Sequence, residues 1–126
     1  MAITSTLTTS FKTELLTATH NFATNGNAFK LALYTSSATL GATTTAFTTT
    51  GQASGTNYTS GGNALTKVAP TSGGTTGFTD FADLTFGTAT VTARGCMIYN
   101  DTNSDKSVAT IDFGGFSSFL EIIKKM

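Results

Sequence analysis

Two rhythms of apolar and polar positions run along this chain. Near the start, Phe11, Leu15, Ala18 and Phe22 fall at i, i+4, i+7 and i+11, which makes one apolar stripe on a helix. Ser10 suits the N-cap position before it. Asn25-Gly26 suits the stop, since both residues tolerate left-handed backbone. From Phe29 the rhythm changes to period two: Phe29, Leu31 and Leu33 alternate with Lys30, Ala32 and Tyr34. Both faces carry apolar residues, so the pattern predicts an inner strand. Residues 35–63 are mostly Thr, Ser, Gly and Ala, with Leu40, Phe47 and Tyr58 as isolated anchors. They predict a long excursion with little regular structure, of the kind that is usually functional or mobile.

Strand-like segments then return at regular spacing. Asn63 to Ala69 is short and is expected to stop at Pro70, the only proline, before the turn cluster Thr71-Ser72-Gly73-Gly74. Phe81, Leu84 and Phe86 alternate imperfectly, which leaves room for a bulge. Thr88 to Ala93, Gly95 to Asn100 and Ser107 to Phe113 follow, the last two joined by the polar hairpin loop Asp101 to Lys106. Short strands at this spacing predict an antiparallel β-sandwich, jelly-roll-like or immunoglobulin-like. The end differs. Ser118-Phe119-Leu120-Glu121 fits a capping box, and Phe119, Ile122, Ile123 and Met126 share a face at helical spacing. A short C-terminal helix is expected. The whole chain, 1–126, reads as one domain: a sandwich with its N-terminal helix over 8–115 and an apolar docking tail over 116–126.

Composition sharpens this picture. The 126 residues include 29 Thr, 11 Ser, 13 Gly and 15 Ala, and Val, Ile, Leu and Phe together number only 27. A folded domain with a modest core and a hydroxylated surface is expected. Seven basic residues balance seven acidic ones, so no basic footprint for nucleic acid exists. No apolar run is long enough for a membrane helix, and Met1 to Leu7 lacks the features of a secretory signal. The lone Cys96 sits in an apolar run and reads as a small buried hydrophobe.

Candidate chemistry is sparse. His20, the only histidine, lies off the helical stripe with no nucleophile or orienting partner nearby in sequence, and is expected to be a solvated helix residue. Asp101-Thr102-Asn103-Ser104-Asp105 resembles the start of a calcium loop, but Lys106 stands where such a loop needs glycine. Turn chemistry explains the same residues. Asp80 and Asp83 are three apart, on opposite faces of a strand. No phosphate-binding glycine loop and no Cys/His metal spacing occurs. No enzyme, metal or cofactor is therefore expected.

Several segments together resemble small virion structural proteins of tailed bacteriophages, of the cyanophage and marine-phage type. They are Ser10-Phe11-Lys12-Thr13-Glu14-Leu15-Leu16 with His20-Asn21-Phe22, then Phe29-Lys30-Leu31-Ala32-Leu33-Tyr34-Thr35. Thr79-Asp80-Phe81-Ala82-Asp83-Leu84-Thr85-Phe86 and Ala89-Thr90-Val91-Thr92-Ala93-Arg94-Gly95 follow, with Ile98-Tyr99-Asn100 and Ile111-Asp112-Phe113-Gly114-Gly115. The resemblance covers about residues 8–115, and its motifs are structural. It implies a non-enzymatic virion protein, a capsid decoration or cement protein bridging shell subunits. A tail, fibre or baseplate component is the alternative, and a glycan-binding adhesion module, using Phe47, Tyr58 and Tyr99, is a further one. Partners would be major capsid or tail proteins and further copies of the chain, a trimer being one arrangement, with no nucleic acid and no membrane. The expected protein contacts are Phe47, Tyr58, Phe119, Leu120, Ile122 and Ile123. The tail departs from the family, whose members continue into another turn and strand after the Asp-Phe-Gly-Gly segment.

Overall fold

The computed structural model describes residues 2–117 and 121–125. Among the described residues the chain is mostly β, with antiparallel strand pairs and one helix. In order the elements are β1 (Thr6–Leu7), α1 (Thr9–Leu16), β2 (Phe29–Tyr34), β3 (Gly55–Thr56), β4 (Asn63–Ala64), β5 (Lys67–Gly73), β6 (Thr76–Thr85), β7 (Thr90–Val91), β8 (Ala93–Asn100), β9 (Lys106–Ser117) and β10 (Glu121–Lys125). They form a five-stranded sheet in the order β1-β9-β8-β2-β4, a three-stranded sheet β10-β6-β5 and a two-stranded ladder β3-β7.

The alternation in β2 does what its pattern predicts. Phe29, Leu31 and Leu33 point into one core, joined by Cys96 and Ile98 of β8 and Val108 of β9. Ala32 and Tyr34 point into a second core with Met97 and Tyr99 of β8, Ile3, Ala38 and Leu40. The central strands are thus covered on both faces. Phe81 of the three-stranded sheet, with Leu65, Phe86 and Val91, closes the first core. Cys96 is fully buried, as its apolar setting predicts.

The helix starts earlier and ends sooner than its stripe suggests. Thr8, not Ser10, is the N-cap: its backbone is extended at φ −72°, ψ 150°, and its hydroxyl accepts from the Phe11 N–H. Ser10 lies inside the helix, and its Oγ is buried without a partner. At the other end Ala18 adopts φ 60°. Its N–H reaches the Leu15 carbonyl, and the Thr19 N–H reaches Glu14, which is the Schellman closure with alanine in the glycine position. Phe22 therefore leaves the helix but still reaches the core, stacking on Phe29 with ring centroids 4.4 Å apart.

Two further expectations are corrected. Pro70 does not end its strand: β5 runs through it, with a register shift between Val68 and Thr71, and β5 is an edge strand where proline is tolerated. Residues 121–125 are strand β10, paired antiparallel to β6, so the short C-terminal helix is not formed there. Five residues gain little as an isolated helix, whereas the β6 edge offers backbone partners. Ser118, Phe119 and Leu120 of the expected capping box and contact set lie outside the described residues.

Candidate functional site

An open apolar groove of about 710 Å³ lies between α1, the β1/β9 edge and the β5–β6 hairpin. Phe11, Phe22, Ala109 and Ile111 line it, together with Leu7, Leu15, Pro70 and Phe78. Ser5, Thr6, Thr71, Thr79 and Thr110 supply hydroxyls, and among the described residues no charged side chain lines it. Leu7, Leu15 and Phe78 are 40%, 45% and 46% exposed, and each is a large apolar residue. Isolated exposed hydrophobics are ordinary, whereas these three converge on one concavity. Sequence reading missed the groove because its walls come from residues more than 100 positions apart.

The one histidine is not on the surface. The His20 side chain is fully buried, with Nε2 2.8 Å from Glu14 Oε1 and Nδ1 3.0 Å from Asn100 Nδ2. Its ring packs between Phe11 and Phe29. Lys106 Nζ approaches the other Glu14 oxygen at 3.6 Å. Asn27 Oδ1 gathers the Asn21 N–H and the side-chain amides of Asn100 and Asn103. This cluster pins the 17–28 loop to the β8–β9 turn. Enclosed on all sides, His20 has no face for a substrate, so the expectation of a solvated helix residue is corrected to a structural polar core.

The tyrosines are similarly engaged. Tyr34 Oη donates to the Thr48 carbonyl, and Tyr99 Oη donates to the Gly61 carbonyl. Tyr58 Oη accepts from the Leu33 N–H at 2.9 Å and donates to Gln52 Oε1 at 3.0 Å. Burial raises the pKa of all three phenols above the ordinary value. Together they staple the 35–63 excursion to the five-stranded sheet. Gly62, at φ +78°, lets that excursion pass beside β2, since a Cβ there would lie 1.8 Å from the Leu31 carbonyl oxygen.

Of the expected contact residues, Phe47 is half-buried with one face stacked on Tyr99 at 4.8 Å. Tyr58 is half-buried and packs on Phe86 at 5.7 Å. Each packs partly inward and keeps part of its surface exposed. Ile122 and Ile123 belong to β10, beside β6. Phe119 and Leu120 lie outside the described residues.

Two carboxylates have shifted acidity. Asp112 accepts from Arg94 Nε at 2.7 Å and from the Gly114 N–H, which hold its pKa below the ordinary value and raise that of Arg94. Asp105 is pushed up, first by partial burial and then by the neighbouring Asp101. Its backbone stands at φ 55°. Among the described residues, no group of three His, Cys, Asp or Glu side chains could hold a metal ion, and no helix is long and apolar enough to cross a membrane. Comparison with protein-family models, with curated proteins and with solved structures finds no match.

Proposed function

We propose that this chain is a non-enzymatic structural protein of a bacteriophage particle, acting as a capsid decoration protein that bridges shell subunits. The observation that carries the reading is the apolar groove, uncharged among the described residues, with Leu7, Leu15 and Phe78 half exposed around it. A surface of that kind suits packing against protein, with few charges to strip of water. The burial of the single histidine leaves the chain without an accessible imidazole base, which favours assembly over catalysis. The reading carries a fold proposal with it: a two-sheet antiparallel sandwich, supported by Phe81 of the three-stranded sheet meeting Phe29 of the five-stranded one, ring centroids 5.8 Å apart.

Tail, fibre or baseplate placement is the competing assembly role, and its support is the long 35–63 excursion. The adhesion reading has lost ground, because Tyr99 is buried and Phe47 and Tyr58 turn inward. Quantitative mass spectrometry of purified particles of the encoding phage separates these readings. A simple ratio to the major capsid subunit, with hundreds of copies, supports shell decoration. A handful of copies supports the tail, and absence from the particle overturns the virion reading.

A further inference from the structure

We propose that His20 is an acid-sensitive latch: a proton taken up at its Nδ1 turns the Asn100 side chain over, uncaps the β8–β9 turn and frees the 17–28 loop from that turn.

Backbone donors fix the senses of the hydrogen bonds. Asn100 Oδ1 accepts from the N–H groups of Thr102 and Asn103, both at 3.1 Å, and so caps the turn. Its Nδ2 donates to Asn27 Oδ1 at 3.0 Å, an oxygen that also accepts from the Asn21 N–H. The same Nδ2 faces His20 Nδ1, which therefore carries no proton. The proton is on Nε2, 2.8 Å from Glu14 Oε1. A second ring proton can go only to Nδ1, where it meets an N–H instead of a lone pair. Turning the amide over offers it the Asn100 oxygen. A charged ring and a capped turn thus exclude one another.

The charged ring keeps an acceptor on each side, Glu14 at Nε2 and the turned Asn100 at Nδ1. The loss falls on the turn. Thr102 is exposed, so its N–H can pass to water. Ser104 and Asp105 stand at φ 56° and 55°, left-handed backbone that is costly for residues with a Cβ and favours release. The same turn anchors the loop. Asn103 Nδ2 donates to the Thr19 carbonyl, and Thr102 Oγ1 accepts from the Ala28 N–H at 2.8 Å. The Asp101 N–H still reaches the Ala28 carbonyl at 2.8 Å, so the β2–β8 ladder holds and the opening is local.

Glu14 on α1 favours the charged ring. Lys106 of β9, 3.6 Å from the other Glu14 oxygen, and Lys67 of β5, bonded to the Asn27 carbonyl, oppose it. β2 and β8 present Phe29 and Asn100, neither of which titrates. Asp101 and Asp105 lie on the turn itself and can also take up protons there.

NMR on the full chain, from about pH 8 down to about pH 5, follows the ring nitrogens and the turn amides together. Nδ1 should gain a proton. The Asn100 side-chain amide and the Thr102 and Asn103 N–H signals should shift with the same midpoint. Exchange at those two backbone amides, corrected for pH, should rise about tenfold while Ile98 in β8 stays protected. A ring that charges with the turn unmoved overturns the proposal, and so does a ring that stays neutral across this range. Glu14→Gln keeps an acceptor for Nε2 and removes the charge that supports the imidazolium. Ring and turn should then move together to lower pH. A turn transition that keeps its midpoint in this variant belongs to Asp101 or Asp105 and overturns the latch. Asn100→Asp offers one oxygen to the turn and one to the ring, so its turn amides should stay protected as the ring charges. Opening as in the wild type would overturn the latch as well.

Discussion

Asn100 presents its side-chain nitrogen to His20 Nδ1, 3.0 Å away, because its oxygen already accepts from the backbone N–H groups of Thr102 and Asn103, both at 3.1 Å. An amide nitrogen can only donate, so Nδ1 must accept. The proton of the neutral ring then sits on Nε2 and is given to Glu14. Three side chains from the helix, the following loop and β8 thereby define one another's hydrogen positions.

Replacing His20 removes that arrangement from a closed space. His20→Ala leaves the Glu14 carboxylate and the Asn100 amide short of partners and opens a void between Phe11 and Phe29. A loss of about 3 kcal/mol is expected, read as a fall in Tm of roughly 10 °C or more. Nitrogen-15 NMR of the wild type should show Nε2 protonated and Nδ1 bare; a proton on Nδ1 would contradict the geometry.

Ala18 closes the helix in a conformation that glycine adopts freely. Ala18→Gly relieves the steric penalty of left-handed backbone, offset in part by greater freedom of the unfolded chain. A gain of about 0.5–1 kcal/mol in urea unfolding is the expected net result. A loss would mean that the Schellman closure is not strained at alanine.

Tyr58→Phe is a test of the staple on the 35–63 excursion. The ring keeps its place against Phe86, while the Leu33 N–H loses its acceptor and Gln52 loses a donor. A destabilisation of about 1–3 kcal/mol is expected, with faster amide exchange at Leu33. An unchanged exchange rate would show that water fills the gap at no loss.

Asp105 and Asp112 should give opposite pH dependences. The folded pKa of Asp112 lies below its unfolded value near 3.8, so its contribution is complete above that value and fades as pH falls through the folded pKa. Asp112→Asn should flatten the acid limb of the stability curve. The folded pKa of Asp105 is raised, so its charged form opposes folding at neutral pH and the opposition vanishes in acid. Asp105→Asn should stabilise at pH 7, and the gain should shrink as the pH falls towards about 3, down to whatever the tolerance of asparagine for φ 55° supplies at every pH. Thermal melts across this range check both signs.

Local pattern carried the reading of the chain as far as local forces decide the structure. Period-two alternation at Phe29 to Tyr34 is imposed by the pleat, so the two cores on either side of β2 were legible. The end of α1 was not, because Ala18 closes the helix without the glycine that would announce it. His20 was unreadable for a different reason: its partner Asn100 lies 80 residues away, and only the fold brings the two together. The tail misled because Ser118 to Glu121 satisfies a local capping rule, while residues 121–125 find backbone partners on β6. The groove shows the same limit, since no window of sequence contains both Leu7 and Phe78.

The pairing of β1 with β9 has a consequence for how the chain is made. Leu7 lies opposite Ala109, and the Thr8 N–H that begins the cap bonds the Val108 carbonyl. The first strand therefore waits for the ninth strand to be synthesised before it has its ladder partner. Until then the N-terminal segment has only its nearer contacts, Thr4 with Leu40, Thr9 with Ala42 and Phe11 with Phe22. Closure between such distant parts is intrinsically slow, in the millisecond-to-second range for β-rich domains. A nascent chain released before residue 110 should thus be captured by chaperones or proteases, while one a few strands longer should fold and escape them.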